Sequence, residues 1–135
     1  MSTTLLNSER IFDDALMDHE VRNGLPVELF FRVRDALAIR PEMLSQAISV
    51  PIRTLMRRKQ RGERLKSDES ERLLRLTRLY LWATEVLHGK DKARRWLFSP
   101  NRALGGRTPI EFASTEPGAR ETERLLGRIE HGVFS

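Results

Sequence analysis

Cysteine is absent from the 135 residues. That excludes a disulfide framework, a thiolate zinc site and a thiol nucleophile, and it fits a cytoplasmic address. Aromatic residues are sparse, at 7%. None falls within 53–66, so the base-stacking platforms of single-strand nucleic-acid binders are missing there. Long apolar runs are missing too. The longest mostly apolar stretch, around 79–87, is interrupted by Thr84 and Glu85, so no membrane span of about 20 residues is expected. The N-terminus carries no apolar signal-peptide core. His19, His88 and His131 stand in three different segments, and no pair has the i, i+4 spacing of metal ligands. No nucleophile elbow is present. Gly105-Gly106 lacks the GK[ST] ending of a phosphate loop. Many carboxylates sit at helical spacing from arginine, as Glu71 does from Arg75 and Glu121 from Arg124, which makes them surface pairs. No catalytic residue, cofactor or metal is expected. The chain reads as a binding protein, not an enzyme.

The charge that is present is unevenly placed. There are 24 basic and 19 acidic residues, a net +5. Residues 1–25 hold two basic and five acidic side chains, whereas 26–66 hold ten and four. Residues 67–99 carry seven and five, and 100–135 carry five of each. The positive charge is therefore one block. Its densest part, 53–66, sets Arg53, Arg57, Arg58, Lys59, Arg61, Arg64 and Lys66 against the single anion Glu63. A polyanion would be met there and not near the C-terminus.

No segment shows sustained period-two alternation, so an all-α chain is expected. Residues 1–23 form an acidic arm, in which Ile11, Phe12, Ala15 and Leu16 have helical spacing. Asn23-Gly24-Leu25-Pro26 is a break followed by a helix start. Leu29, Phe30, Val33 and Leu37 then make one apolar stripe of a helix ending near Ile39, because Arg40 precedes Pro41. Two short helices follow, 41–48 and 52–60, separated by Ser49-Val50-Pro51. Ile52, Leu55 and Met56 are the apolar members of the second, and Gly62 ends it. Asp68 and Glu71 make a capping-box-like pair opening the longest helix, about 69–87. Leu73, Leu76, Leu79, Tyr80, Ala83, Val86 and Leu87 form its broad stripe, with Leu74, Leu81 and Trp82 beside it. Such a helix should be central or at an interface. A helix over 91–98 would turn Ala93, Trp96 and Leu97 inward. Thr108-Pro109-Ile110-Glu111 combines a capping box with proline at the first helical position. A final helix runs to about His131, with Ala119, Leu125, Leu126 and Ile129 on one face and Gly132 as its cap.

The pair 41–48 and 52–60 has the length pattern of a helix-turn-helix. Val50 and Leu55 would seal it, and Ala47 sits where the two helices must approach. With Leu55 inward, Arg53, Thr54, Arg57 and Arg58 lie on or beside the outward surface. Arginines four apart on one face can place guanidinium forks on guanine edges, and Thr54 can meet a phosphate or a thymine methyl. Lys59, Arg61, Arg64 and Lys66 would then hold the phosphate backbone. Many helix-turn-helix turns carry glycine where this chain has Ser49, which would alter the turn. A solvated basic helix edge or an RNA-binding patch has the same pattern.

The stretch from Trp96 to Pro109 reads Trp-Leu-Phe-Ser-Pro-Asn-Arg-Ala-Leu-Gly-Gly-Arg-Thr-Pro. It is followed by Gly118-Ala119 and by the closing run Leu125-Leu126-Gly127-Arg128-Ile129-Glu130-His131-Gly132. This resembles the C-terminal domain of the Xre/MbcA/ParS-like antitoxins, the partners of RES-domain toxins. Arg57-Arg58 and the run 67–78 are similar to the family's Xre-type N-terminal half. The resemblance covers about 24–135. It implies an Xre-like DNA-binding region at 24–66 joined by a helix at 67–87 to a toxin-binding domain at 88–135, and the wide apolar face of that linking helix makes it the candidate dimerisation helix. It also implies an antitoxin that blocks a cognate NAD-depleting RES-domain toxin and represses its own operon on double-stranded operator DNA. Trp96, Asn101, Gly105 and Gly106 match the motif's first block, and Arg128, Glu130, His131 and Gly132 its close. These are the expected toxin-binding residues, although a core tryptophan and a glycine turn would also account for Trp96, Gly105 and Gly106. The exposed tail from Arg128 onward is the part expected to reach the partner. A homodimer is expected, since helix-turn-helix repressors usually read two half-sites. The rival expectation is a helix-turn-helix repressor without a toxin partner.

Overall fold

The computed structural model describes residues 20–132. The arm residues Ile11, Phe12, Ala15 and Leu16 lie outside them. Among the described residues the chain is helical throughout, apart from one isolated bridge between Pro26 and Arg64. A helix ending at Asn23 leads into α1 (Val27–Leu37), α2 (Pro41–Ala47), α3 (Ile52–Arg61) and α4 (Ser67–Leu87). There follow α5 (Lys90–Leu97), a 3-10 turn (Arg102–Leu104), α6 (Pro109–Phe112) and α7 (Glu116–Glu130). The chain divides into two compact units, 1–77 and 78–135, so the division falls inside α4.

The first unit is built on a leucine-rich core. Leu25, Phe30, Leu37, Leu44, Ile48, Leu55 and Leu73 are all wholly buried, each contributing roughly 1.5–3 kcal/mol of hydrophobic stabilisation. Phe30 meets Phe31 edge to face, with ring centroids 4.9 Å apart. Chain segments 24–26 and 64–65 are tied together, with the Leu65 N–H donating to the Leu25 carbonyl at 2.9 Å. Gly24 is needed at this crossing. Its φ is +86°, and a Cβ there would collide with the Leu65 carbonyl oxygen. The Leu25 N–H is taken up by the Ser70 hydroxyl at 2.9 Å, so the start of α4 closes the bottom of this unit.

Two local expectations shift. The first helix stops at Leu37, two residues short of Ile39, because Ala38 takes a left-handed conformation (φ +55°) and its N–H caps the Asp35 carbonyl. The carboxylate that caps the start of α4 is Glu69, not Glu71. Glu69 Oε1 accepts the Lys66 N–H at 2.8 Å, reaching back three residues as a capping box requires.

The second unit packs the rest of α4 with α5, α6 and α7. Ala83, Ala93, Leu97, Ala113, Leu125 and Leu126 are wholly buried. The α4 stripe divides: Leu79, Tyr80 and Ala83 are buried, whereas Leu81, Trp82, Val86 and Leu87 stay half-buried. Trp82 reaches Gly127, where a Cβ would lie 3.9 Å from the indole. The Thr108–Glu111 capping box forms as the sequence predicts. Thr115 caps α7 by accepting the Gly118 N–H at 3.2 Å. Gly118 itself is packed so closely on the end of α6 that a Cβ would overlap the Phe112 carbonyl.

Candidate nucleic-acid and partner surfaces

Helices α2 and α3 meet through a turn whose every hydrophobic residue is used. Leu44, Ile48, Val50 and Leu55 are buried at 3% exposure or less. Ser49 supplies the conformation that glycine supplies elsewhere, with φ +60°. Its strain, about 1–2 kcal/mol for a residue with a Cβ, is held by the Ser49 N–H to the Gln46 carbonyl (3.1 Å) and the Val50 N–H to the Ser45 carbonyl (3.0 Å). Serine therefore leaves the turn in the glycine conformation. From α4, Arg72 Nε donates to the Ile48 carbonyl at 2.8 Å and takes up the end of α2.

On α3 the period of 3.6 sorts the side chains. Leu55 and Arg58 face inward, whereas Arg53, Met56, Arg57 and Gln60 are exposed. Thr54 is half-buried at the boundary. Arg53 and Arg57 make no ion pair or hydrogen bond among the described residues, so their guanidinium forks are available to a ligand. Arg58 corrects the sequence reading. It is not on the outward surface: its Nη1 lies 2.6 Å from Glu69 Oε1, with both side chains 10% exposed. It joins α3 to the start of α4, and its charge is already satisfied. Met56 is the second correction. Grouped with Ile52 and Leu55 in the sequence, it is turned outward at 46% exposure.

The flanking cations are partly engaged. Lys59 Nζ sits 4.4 Å from the centre of the Phe31 ring, a cation–π contact that orients it. Arg61 lies 4.0 Å from Glu63, both exposed, a pair worth little in water. Arg64 Nη1 donates to the Gly24 carbonyl at 2.7 Å, which ties its side chain to the crossing described above. Lys66 is exposed. Cations in the last turn of α3 also complement the helix's negative end.

In the second unit the motif residues take structural positions. Asn101 closes the loop 101–107. Its N–H donates to the Arg107 carbonyl (3.0 Å), its carbonyl accepts the Gly106 N–H (2.9 Å), and its side chain accepts the Ala103 N–H (3.0 Å). Gly105 and Gly106 have φ of +68° and +84°, with open space where a Cβ would stand. Their conformation, not crowding, selects glycine. Trp96 is half-buried on α5, not fully inward. Arg128 and Glu130 belong to the last turn of α7 and not to a free tail, and His131 caps that helix. All three are exposed, as is Gly132 (φ +70°).

One concavity of this unit had no signal in the sequence. Arg107 lies over the Phe112 ring at 5.4 Å. Together with Ser114, Pro117 and Glu121 these two line a cleft of about 370 Å³. Its parts come from α6, α7 and the loops beside them, and helical periodicity says nothing about residues in loops. Among the described residues there is no cluster of three side chains able to hold a metal ion, and no helix is long and apolar enough to cross a membrane.

A tight two-helix turn presenting exposed arginines, followed by a second helical unit, defines the class of bipartite helix-turn-helix proteins. Comparison with known proteins narrows the class. Residues 17–78 match the antitoxin Xre-like helix-turn-helix domain, and residues 83–132 match the antitoxin Xre/MbcA/ParS C-terminal toxin-binding domain. An Antitoxin Xre of Yersinia enterocolitica is 35% identical over 116 residues, covering 85% of this chain and 78% of the relative. One of Photorhabdus laumondii is 34% identical over the same shares. A more distant relative from Sphingobium, 24% identical over 85% of this chain and 78% of its own length, is named Prs ADP-ribosylating antitoxin. The chain belongs to the Xre antitoxin family.

Proposed function

We propose that this antitoxin neutralises a cognate RES-domain toxin by direct binding through its second unit, and represses its own operon through α2 and α3. It acts by occupancy and not by catalysis, as a homodimer in the cytoplasm. The observation that carries the DNA half is the pair Arg53 and Arg57, exposed one turn apart on the outer helix of a sealed helix-turn-helix and without partners among the described residues. The match of 83–132 to a toxin-binding domain supports the other half. The specific toxin class rests on the motif running from Trp96 to Pro109 and its closing Arg128-Ile129-Glu130-His131-Gly132.

In this reading Arg53, Thr54 and Arg57 face the bases, while Lys59, Arg61, Arg64 and Lys66 face phosphates. Arg58 is left out, since its guanidinium is spent on Glu69. Arg128, Glu130, His131 and Gly132 are the exposed toxin contacts, and the half-buried Trp96 is a further one. Asn101, Gly105 and Gly106 act by shaping the loop that carries the motif.

The test is co-expression with a RES-domain toxin, taken from the neighbouring reading frame if that frame encodes one. A stable complex, and cellular NAD preserved only when the antitoxin is present, is the expected result. Arg128→Glu and His131→Ala should weaken protection while leaving DNA binding intact. Point variants are preferable to deleting 128–135, because Arg128 and Glu130 are part of α7. Operator binding without any toxin complex would instead establish a repressor with no toxin partner.

A further inference from the structure

Met56 is the one large hydrophobic side chain that stands exposed among the described residues, at 46%. A single surface methionine is ordinary in itself. Its neighbours make this one notable. On the helix surface it lies one turn from Arg53 (i−3) and one turn from Gln60 (i+4), and both are exposed and polar. The apolar requirement of α3 is already met by Leu55, which is wholly buried, and Ile52, which is half-buried. Met56 therefore contributes little to the core. A lysine or arginine there would add phosphate attraction to a face that is otherwise basic. A thioether adds none, and it leaves apolar surface in water.

The chemistry of a major groove offers one partner for such a group. Base edges present donors and acceptors, and the only apolar feature among them is the C5-methyl of thymine. An unbranched thioether with three rotatable bonds can settle on that methyl while the neighbouring arginines take their own positions. We propose that Met56 is a specificity-determining residue that reads a thymine methyl, adjacent to the bases faced by Arg53 and Arg57. This rests on the operator-binding reading above.

The full-length protein is used to select duplexes from a randomised DNA pool. The enriched duplex is then remade with deoxyuridine in place of thymine, one position at a time, which removes only the methyl group. Wild type should lose about fourfold in affinity at one thymine position, the scale of burying one methyl-sized group. Met56→Ala should bind the thymine and deoxyuridine duplexes equally at that position, and Met56→Leu should keep part of the preference. Because Met56 is exposed, both variants should unfold at the wild-type denaturant midpoint. If deoxyuridine affects wild type no more than Met56→Ala at every position, the inference is wrong even though operator binding stands. A contribution of Met56 to toxin capture with no methyl discrimination overturns it equally. If no sequence is enriched at all, operator recognition fails first and this inference falls with it.

Discussion

The Arg58 guanidinium and the Glu69 carboxylate meet at 2.6 Å across eleven residues of sequence, with each side chain nine-tenths buried. The same Glu69 oxygen also accepts the Lys66 N–H at the start of α4. One carboxylate thus caps a helix and neutralises a buried cation from the helix expected to face DNA. Two charges out of water are tolerated because each neutralises the other, and the Lys66 N–H adds a further bond to the carboxylate.

Removing either partner should be costly. Arg58→Ala and Glu69→Ala each leave a buried charge unpaired and should destabilise by about 3–5 kcal/mol. The double replacement Arg58→Ala with Glu69→Ala should cost much less than the sum. Urea denaturation of the four proteins measures the coupling. Loss of DNA binding in Arg58→Ala should track its unfolding; an intact fold with lost binding would return Arg58 to the DNA-contacting set.

The outward arginines should behave differently. Arg53→Ala and Arg57→Ala should leave stability within about 0.5 kcal/mol of wild type. Each should weaken operator binding by about 1–3 kcal/mol and relax sequence preference at one position. Arg61→Ala should weaken binding to all sequences alike and lower the salt slope by about one. Affinity measured across a salt series on specific and scrambled duplexes separates the two classes.

Two glycines of the second unit test different physics. At Gly118 a methyl group would overlap the Phe112 carbonyl, so Gly118→Ala must push α7 away from α6. It should cost at the upper end of the roughly 1–3 kcal/mol of overpacking, or more. At Gly105 the space is open but φ is +68°, so Gly105→Ala should cost only about 1 kcal/mol. Thermal unfolding should rank them in that order.

The capping box at α6 should make stability respond to acid. The Glu111 carboxylate accepts the Thr108 N–H and the Thr108 hydroxyl, each at 3.0 Å. Those bonds, the backbone one first, hold it below the ordinary glutamate range. A carboxylate with a depressed folded value contributes stability above its unfolded value and loses it as pH falls through the folded one. The gap in stability between wild type and Glu111→Ala should therefore be constant near neutrality and shrink once pH falls below the ordinary glutamate range. Denaturation at stepped pH measures it, and a gap unchanged down to strong acid would remove the ionised carboxylate from the cap.

What could be read from the residues alone was local. Helix periods, the Pro26 and Pro41 starts, the Gly62 stop and the Thr108 box each depend on groups within four residues of one another. Those elements fall within about two residues of where the sequence predicts them. The helix-turn-helix spacing and the one basic block were legible for the same reason, as was the family motif from Trp96 to Pro109. What the residues could not decide was which way a side chain at the edge of a helix face would point. Arg58 and Met56 stand two positions apart on α3, and composition alone would turn the methionine inward and the arginine outward. The fold reverses them. The start of α4 brings Glu69 to the inner side of α3, and a carboxylate there makes burial of the arginine favourable, while Leu55 already fills the apolar position. Side-chain direction at a helix boundary is set by what the neighbouring helix presents, and that neighbour lies far away in sequence.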